Sequence, residues 1–401
     1  MTRTWKRMAA PAAALAAAAL LAACSSSSSS SSSTASSSSA TPSSAASGSA
    51  SATASAASGG VAAAQAQVTK FEAAPDHPVP GTPVKGVSAL KGKTVYYVPL
   101  VQQIPGFVLT AASLKTALGK VGLKLQVCNG EAQPAAVAAC IGQATGASAA
   151  GIILDSIPYG MAANAITAAN TKGIPVIVSD QLPPTAGAKS TNKLDYALGA
   201  PYQPNAIAYW TIANSGGSAS TIIAESADSP STIAYVNSSL SIYKQYCPGC
   251  KITVKQISQS AAAQMASDTS SFLLTDPSAT YYYTEFEDSL QPALQGIQTA
   301  NRSAINLSVA GGSVFGLGLL AKGTGPVRAV VAVDQTYAGW ALADQVLRMA
   351  TKGTPVDVLY PTRLFTKDNI GSITVTPAAQ AAGSWFGSTA YQAAFEKLWG
   401  V

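Results

Sequence analysis

The stretch Gly151–Asp180, GIILDSIPYGMAANAITAANTKGIPVIVSD, decides the fold. Its first apolar run, Ile152-Ile153-Leu154, stops at Asp155. An Ala-rich segment follows with Met161, Ala165, Ile166 and Ala169 at helical spacing, and Lys172-Gly173 closes it. A second apolar run, Pro175-Val176-Ile177-Val178, stops at Asp180. Two β-rich runs joined by one helix-length crossover read as a βαβ unit, whose strands must be parallel. Each strand ends in an acid at its carboxyl end, the edge where open parallel sheets hold ligands.

Working outward, the same alternation repeats. Strands are expected at Lys93–Val101, Leu123–Cys128 and Tyr196–Gly199, with helices from Phe107 to Lys120 and from Pro134 to Gln143. The pattern then restarts. Helices are expected at Pro204–Asn214, Thr232–Tyr246, Ala261–Leu274, Leu290–Ala300 and Gln335–Thr351. Strands lie between them at Ser220–Glu225, Lys251–Ile257, Ala279–Tyr283, Ala304–Ala310 and Val327–Val333. The fold class is α/β, with two doubly wound parallel-sheet lobes rather than one large sheet.

The N-terminus reads as a targeting signal. Arg3-Thr4-Trp5-Lys6-Arg7 is a basic start, Met8–Leu20 an apolar run, and Leu21-Ala22-Ala23 a set of small residues before Cys24. That layout is secretory, and the run is too short and Ala-rich for a membrane span. LAAC resembles the bacterial lipobox, which implies lipidation of Cys24 after removal of residues 1–23. Residues 24–60 are then expected to form a disordered Ser/Ala-rich tether, and 61–92 an extended lead-in in which His77 is a solvated loop residue.

Composition excludes several function classes. Charged residues make up only 10% of the 401, and the formal charge is +6. Without Arg3, Lys6 and Arg7, 21 basic residues face 18 acidic ones, which is no nucleic-acid footprint. His77 is the single histidine, so Ser-His-Asp and Cys-His catalysis and histidine-rich metal sites are not expected. No cofactor or metal is implied. Cys128, Cys140, Cys247 and Cys250 suit an exported, disulfide-bonded protein. Cys128 ends a strand and Cys140 lies on the next helix. Cys247-Pro248-Gly249-Cys250 is a tight turn before a strand, where a redox CxxC would precede a helix. A structural local disulfide is the favoured reading there, with a redox role and a shared zinc site as alternatives.

Four stretches together resemble the type I periplasmic binding proteins, in the sugar-binding group related to ribose-binding protein. They are the βα pair around Gly151–Leu154 with Gly173–Ile177; the turn Tyr246…Pro248-Gly249; Glu287-Asp288-Ser289-Leu290 at a strand-to-helix turn; and Val331–Gln335 through Gly339-Trp340, with Arg348 and Lys352–Val356. The resemblance spans about Lys93 to Tyr360. It implies three interlobe crossings, near Ala200, near Gln335 and within 355–361. The first lobe would hold 93–200 and 335–355, the second 201–334 and 361–401. It also implies a ligand held in the cleft and trapped by hinge closure.

A buried polyol needs a partner for each hydroxyl and an aromatic face for its C–H side. The strand-end candidates are Gln102, Gln103, Phe107, Asp155, Ser156, Asp180, Gln181, Tyr202, Asp228, Glu287, Gly312, Asp334 and Gln335. Asp155 and Asp228 could instead cap helices, Phe107 could be core, and Glu287 could be a solvated helix start. Gly311-Gly312 stands where the family has Asp-Gly, so one expected carboxylate is absent. The implied function is a lipid-anchored, monomeric, extracytoplasmic solute-binding protein of an ABC importer. It would have no catalysis of its own, would take a sugar or similar small polar molecule, and would have a permease and an ATPase as partners. A sensory receptor signalling to a membrane protein is the alternative on the same fold.

Overall fold

β1 (Thr94–Pro99), β2 (Lys124–Val127), β3 (Gly151–Asp155), β4 (Val176–Ser179) and β5 (Leu194–Ala197) run parallel in the spatial order β2-β1-β3-β4-β5. The computed structural model describes residues 47–401 apart from 186, 187, 198, 357 and 358. The lipidation call at Cys24, the signal segment and most of the tether lie outside these residues, as does Leu198 of the fifth strand. β3 and β4 are buried at every position, as strands covered on both faces must be. One face carries α3 (Pro134–Gly146) and α4 (Tyr159–Thr171) over Val98, Ile152, Leu154, Val176 and Val178. The other carries α2 (Pro105–Lys120) and α10 (Gln335–Ala350) over Val95, Tyr97, Ile153 and Ile177.

The second sheet contains β6 (Ser220–Ser226), β7 (Lys251–Ile257), β8 (Tyr281–Thr284), β9 (Asn306–Gly311), β10 (Val327–Val333) and β11 (Thr362–Thr366), ordered β11-β10-β9-β8-β6-β7. β11 alone is antiparallel. α5 (Gln203–Asn214) and α6 (Pro230–Tyr246) cover one face. α7 (Met265–Thr275), α8 (Leu290–Thr299) and α9 (Val314–Lys322) cover the other. Tyr281, Tyr282 and Tyr283 are all buried in β8, as packing residues. Among the described residues, no helix is long and apolar enough to cross a membrane.

Both ends of the chain depart from the sequence reading. Residues 47–72, read as tether and extended lead-in, form helix α1 (Ser47–Glu72). Its alanines have high helix propensity, but packing decides. Ala64 and Val68 are buried in the second lobe with Ala206, Ile207 and Trp210. Phe71 stacks on Tyr209 at 6.4 Å. Gly60 permits a close approach, since a Cβ there would lie 2.1 Å from the Tyr246 carbonyl oxygen. The lead-in then passes to the first lobe, where Val84, Val87 and Leu90 join its core. At the other end, Trp385 and Phe386 pack in the second lobe. Helix α12 (Tyr391–Trp399) returns to the first, where Trp399 stacks on Trp340 at 5.5 Å and 8°. The assignment of all of 361–401 to the second lobe is thereby corrected for α12.

The central passages between lobes lie side by side. Leu359 bridges Gly199 in parallel. Tyr360 N donates to Gly199 O at 2.8 Å, and Asp334 N donates to Pro361 O at 2.9 Å.

Candidate functional site

β3 and β4 deliver Asp155, Ser156, Ser179 and Asp180 to the carboxyl edge of the first sheet. Immediately past the strands the backbone turns through the left-handed region, with φ 58° at Ser156 and φ 57° at Asp180. Such positions disfavour non-glycine residues at about 1–3 kcal/mol and gather at functional sites. Asp180 Oδ1 accepts from Ala200 N at 3.3 Å. Gly199 has to be glycine here: its φ is +66°, and a Cβ would fall 1.4 Å from Asp180 Oδ1.

Around these residues lies a buried polar cluster. Tyr97 OH donates to Asp155 Oδ2 at 2.5 Å, and the Ser179 and Tyr360 hydroxyls pair at 2.9 Å. Asp155 is 3% exposed, and its Oδ1 meets no donor. Beside it stands the carboxyl of Asp180, within hydrogen-bonding reach only when one of the two is protonated. Burial raises both acids above the usual carboxylate range, and the charge of Asp155 pushes Asp180 further. Burial also raises the Tyr97 and Tyr360 hydroxyls, with the neighbouring acids adding to it.

The second lobe contributes Glu285, one residue beyond β8. It is 3% exposed, and its Oε2 accepts from Ser226 N at 2.9 Å. Burial, aided by the like charge of Glu225, pushes its carboxyl up to about 8. Tyr235 on α6 lies under the fields of both Asp180 and Glu285, so it stands between the lobes. Its hydroxyl is buried without a partner, as is that of Thr284. Direct hydrogen bonds also cross here. Ser229 and Ser231 hydroxyls donate to Gln181 Oε1 at 2.8 and 2.9 Å, and Leu182 N donates to Ser231 Oγ at 2.9 Å.

Glu285, Tyr235, Tyr97 and Tyr360 were not singled out from the sequence. Glu285 is two residues from the expected Glu287, at the true end of a strand whose final residue, Thr284, the sequence reading left out. Nothing local marks Tyr235, which reaches the site from a helix. Tyr97 and Tyr360 look like ordinary strand and linker aromatics.

The structure brings Asp155, Ser156, Asp180 and Gln181 together and gives other expected residues different partners. Glu287 is occupied at the start of α9: Oε1 accepts from Ser313 Oγ at 2.6 Å and Gly316 N at 2.8 Å, and Oε2 accepts from Ser313 N. Asp228 is exposed and clasps the ends of β6 and β7, accepting from Ser258 Oγ and Gln259 N at 2.6 Å and from Ser226 Oγ at 3.0 Å. Gly312 is a packing glycine, since a Cβ there would lie 2.2 Å from that of Ala332. Gln335 Oε1 accepts from Thr110 Oγ1 at 2.7 Å. Gln102 and Gln103 are exposed, Phe107 is half-buried on α2, and Tyr202 is exposed at the start of α5.

Asp334 and His77 correct the sequence reading jointly. Asp334 caps α10, with Oδ1 accepting from Thr336 N at 2.9 Å, Thr336 Oγ1 at 2.5 Å and Tyr337 N at 3.0 Å. Its Oδ2 lies 2.9 Å from His77 Nε2. His77 is not solvated. Its side chain is 9% exposed and its ring stacks on Tyr391 at 4.9 Å. Tyr337 OH donates to Pro78 O alongside. Both Asp334 oxygens are therefore occupied by the chain itself.

Two disulfides join Cys128 to Cys140 and Cys247 to Cys250. Among the described residues, no three His, Cys, Asp or Glu side chains gather to hold a metal. A depression of about 460 Å³ between α7 and α8 is remote from the strand ends and lined by Ala266, Leu274, serines and threonines, with no titratable group.

No protein-family model and no curated protein matches the sequence. Solved structures do match. A 5-methylthioribose transporter solute-binding protein from Thermotoga lettingae aligns with TM-score 0.65 at 15% identity, covering 77% of this chain and 97% of its own. A sugar ABC transporter protein from Yersinia enterocolitica gives 0.63 at 16%, covering 80% and 99%. A Caulobacter myo-inositol binding protein gives 0.61 at 18%, covering 74% and 98%. The chain has the fold of these two-lobed binding proteins.

Proposed function

We propose that this protein is a solute-binding protein of an ABC importer, held outside the cytoplasm by a lipid on Cys24 and without catalysis of its own. A small polar, sugar-like solute binds between the lobes and is retained by hinge closure. Asp155, Ser156, Asp180 and Gln181 contact it from the first lobe, and Tyr235, Thr284 and Glu285 from the second. Gln102, Gln103, Phe107 and Tyr202 border the entrance. The observation that carries this reading is the convergence of unpartnered buried acceptors, above all Asp155 Oδ1, on the strand ends of a two-lobed sheet protein. An unpaired buried polar atom costs about 1–3 kcal/mol, and an ordered ligand donor removes that cost. The fold shared with sugar and polyol binders points the same way.

The test is a thermal-shift screen of the mature protein against sugars, polyols, nucleosides, amino acids and aromatic acids. A binder raises Tm by mass action. Stabilisation by sugars or polyols that is lost in Asp155→Asn supports the reading. A response confined to amino acids or aromatic acids refutes the sugar class. Membrane fractionation of Cys24→Ala tests the anchor: release of the variant is expected, and unchanged retention refutes lipidation there.

A further inference from the structure

The acids of this site differ from the other buried acids of the chain. Asp344 is fully buried and paired with Arg348 at 2.6 Å, with Trp399 Nε1 donating at 2.9 Å. Asp334 has His77. Glu287, partly buried, has a helix N-terminus. The chain thus supplies a base or several donors to Asp344, Asp334 and Glu287. At the interlobe cluster it supplies neutral donors, such as Tyr97 OH to Asp155 and Ala200 N to Asp180, and, among the described residues, no base. Among the described residues, no salt bridge includes Asp155, Asp180, Glu225 or Glu285. Glu285 accepts from the Ser226 backbone N–H, and Asp155 Oδ1 meets no donor. Glu225 is 5% exposed and close enough to act on Glu285. Burying an ionised carboxylate without a counter-charge is expensive.

We infer that the missing counter-charge comes with the ligand: the site takes a polyhydroxylated solute bearing a protonated amine, whose ammonium group lies against Asp155 and Asp180. This rests on the reading of the interlobe cluster as the binding site and narrows its ligand class. Hydroxyl donors alone satisfy acceptors but leave the carboxylates' charge uncompensated. An ammonium has three donors and a full charge, which matches two adjacent carboxyls within hydrogen-bonding reach of each other. Burial, and for Asp180 also the neighbouring charge of Asp155, favours a proton on the empty pair. Binding R–NH₃⁺ then expels that proton to solvent, so one positive charge enters as one leaves.

The experiment compares matched probes by calorimetric titration and thermal shift: glucamine (1-amino-1-deoxysorbitol) against sorbitol, and glucosamine against glucose and N-acetylglucosamine. The amines are expected to bind at least tenfold tighter than their neutral counterparts. Release of about one proton should appear as a dependence of the heat on buffer ionisation. Asp180→Asn should abolish the preference, with Asp155→Asn as the second variant should Asp180→Asn fail to fold. Neutral sugars binding as tightly as the amines, or amine binding without proton release, overturns the inference and leaves the sugar-binding site standing. Binding of neither class, here and in the wider screen, overturns both.

Discussion

Replacing His77 with alanine tests whether the lead-in segment is a structural strap between the lobes. The substitution removes Nε2 from its place 2.9 Å from Asp334 Oδ2, at a site where the acid is only 1% exposed. Asp334 Oδ1 keeps its helix-cap partners, so the loss falls on Oδ2 alone. An unpaired buried acceptor costs about 1–3 kcal/mol. The ring contacts, at 4.9 Å to Tyr391 and 5.5 Å to Tyr337, add about 0.5–1.5 kcal/mol. The expected destabilisation is about 2–4 kcal/mol, and for a chain of this size each kcal/mol lowers Tm by about 2 °C. Differential scanning calorimetry should therefore show a drop of about 4–8 °C, while Asp76→Ala, at the exposed neighbour, should leave Tm unchanged. Asp334→Asn should destabilise less in the His77→Ala background than alone, because the two share one interaction. A drop under about 1 °C for His77→Ala would refute the strap.

Further predictions concern pH, backbone and cross-links. Burial lifts the Glu285 carboxyl from 4.5 to about 8 in the folded chain. Its favourable contribution is full below the unfolded value and is lost as pH rises through that window, by up to about 1.4 kcal/mol per unit for one proton. The unliganded protein should therefore melt at lower temperature at pH 8 than at pH 5, with Glu285→Gln flattening the slope. A melting temperature that rises across this range contradicts the assignment. Gly199→Ala places a Cβ at φ +66° against the Asp180 carboxylate, and should lower stability by about 2–4 kcal/mol in urea titration; an unchanged midpoint would show that the crossing relaxes freely. The Cys128–Cys140 bridge has sequence separation 12 and the Cys247–Cys250 bridge 3. Loop-closure entropy assigns them about 3 and about 2 kcal/mol, so paired serine substitutions should cost more at the wider loop, and the reverse order would exclude that account.

Strand ends and crossovers were legible because parallel strands covered on both faces write themselves as unbroken apolar runs. Gly151–Asp180 predicted β3, α4 and β4 almost to the residue, and placed Asp155 and Asp180 at the sheet edge. The second lobe's share of the site was harder to read. Glu285 and Glu287 are equivalent in sequence. A one-residue difference in the end of β8 and the N-terminus of α9 decide between them, and neither is local to the motif. Asp334 ends a strand as Asp155 does, yet it faces a helix start and a histidine more than two hundred residues earlier. His77 and α1 were illegible for a related reason. Ala- and Ser-rich segments of low hydropathy resemble tethers, and only their packing on Ala206, Ile207 and Tyr209 makes 61–72 a fixed helix.

The interlobe contacts divide into two kinds with different consequences for closure. His77–Asp334 and the Gly199, Leu359 and Pro361 backbone bonds lie within the crossing segments themselves. Contacts at a pivot keep their partners while lobes rotate, so they hold the lobes together without choosing between open and closed states. Gln181 and Leu182 are different, because their three hydrogen bonds to Ser229 and Ser231 join the two lobes beside the acid cluster. Separation of the lobes there breaks all three. At about 0.5–1.5 kcal/mol net for each, they favour the closed arrangement by about 2–4 kcal/mol. The repulsion between Asp155 and Asp180 and the left-handed backbone at Ser156 and Asp180 lie within the first lobe, so they do not oppose closure. A bias of a few kcal/mol is one that a bound ligand's differential affinity for the two states can reinforce or offset, and so decide their populations.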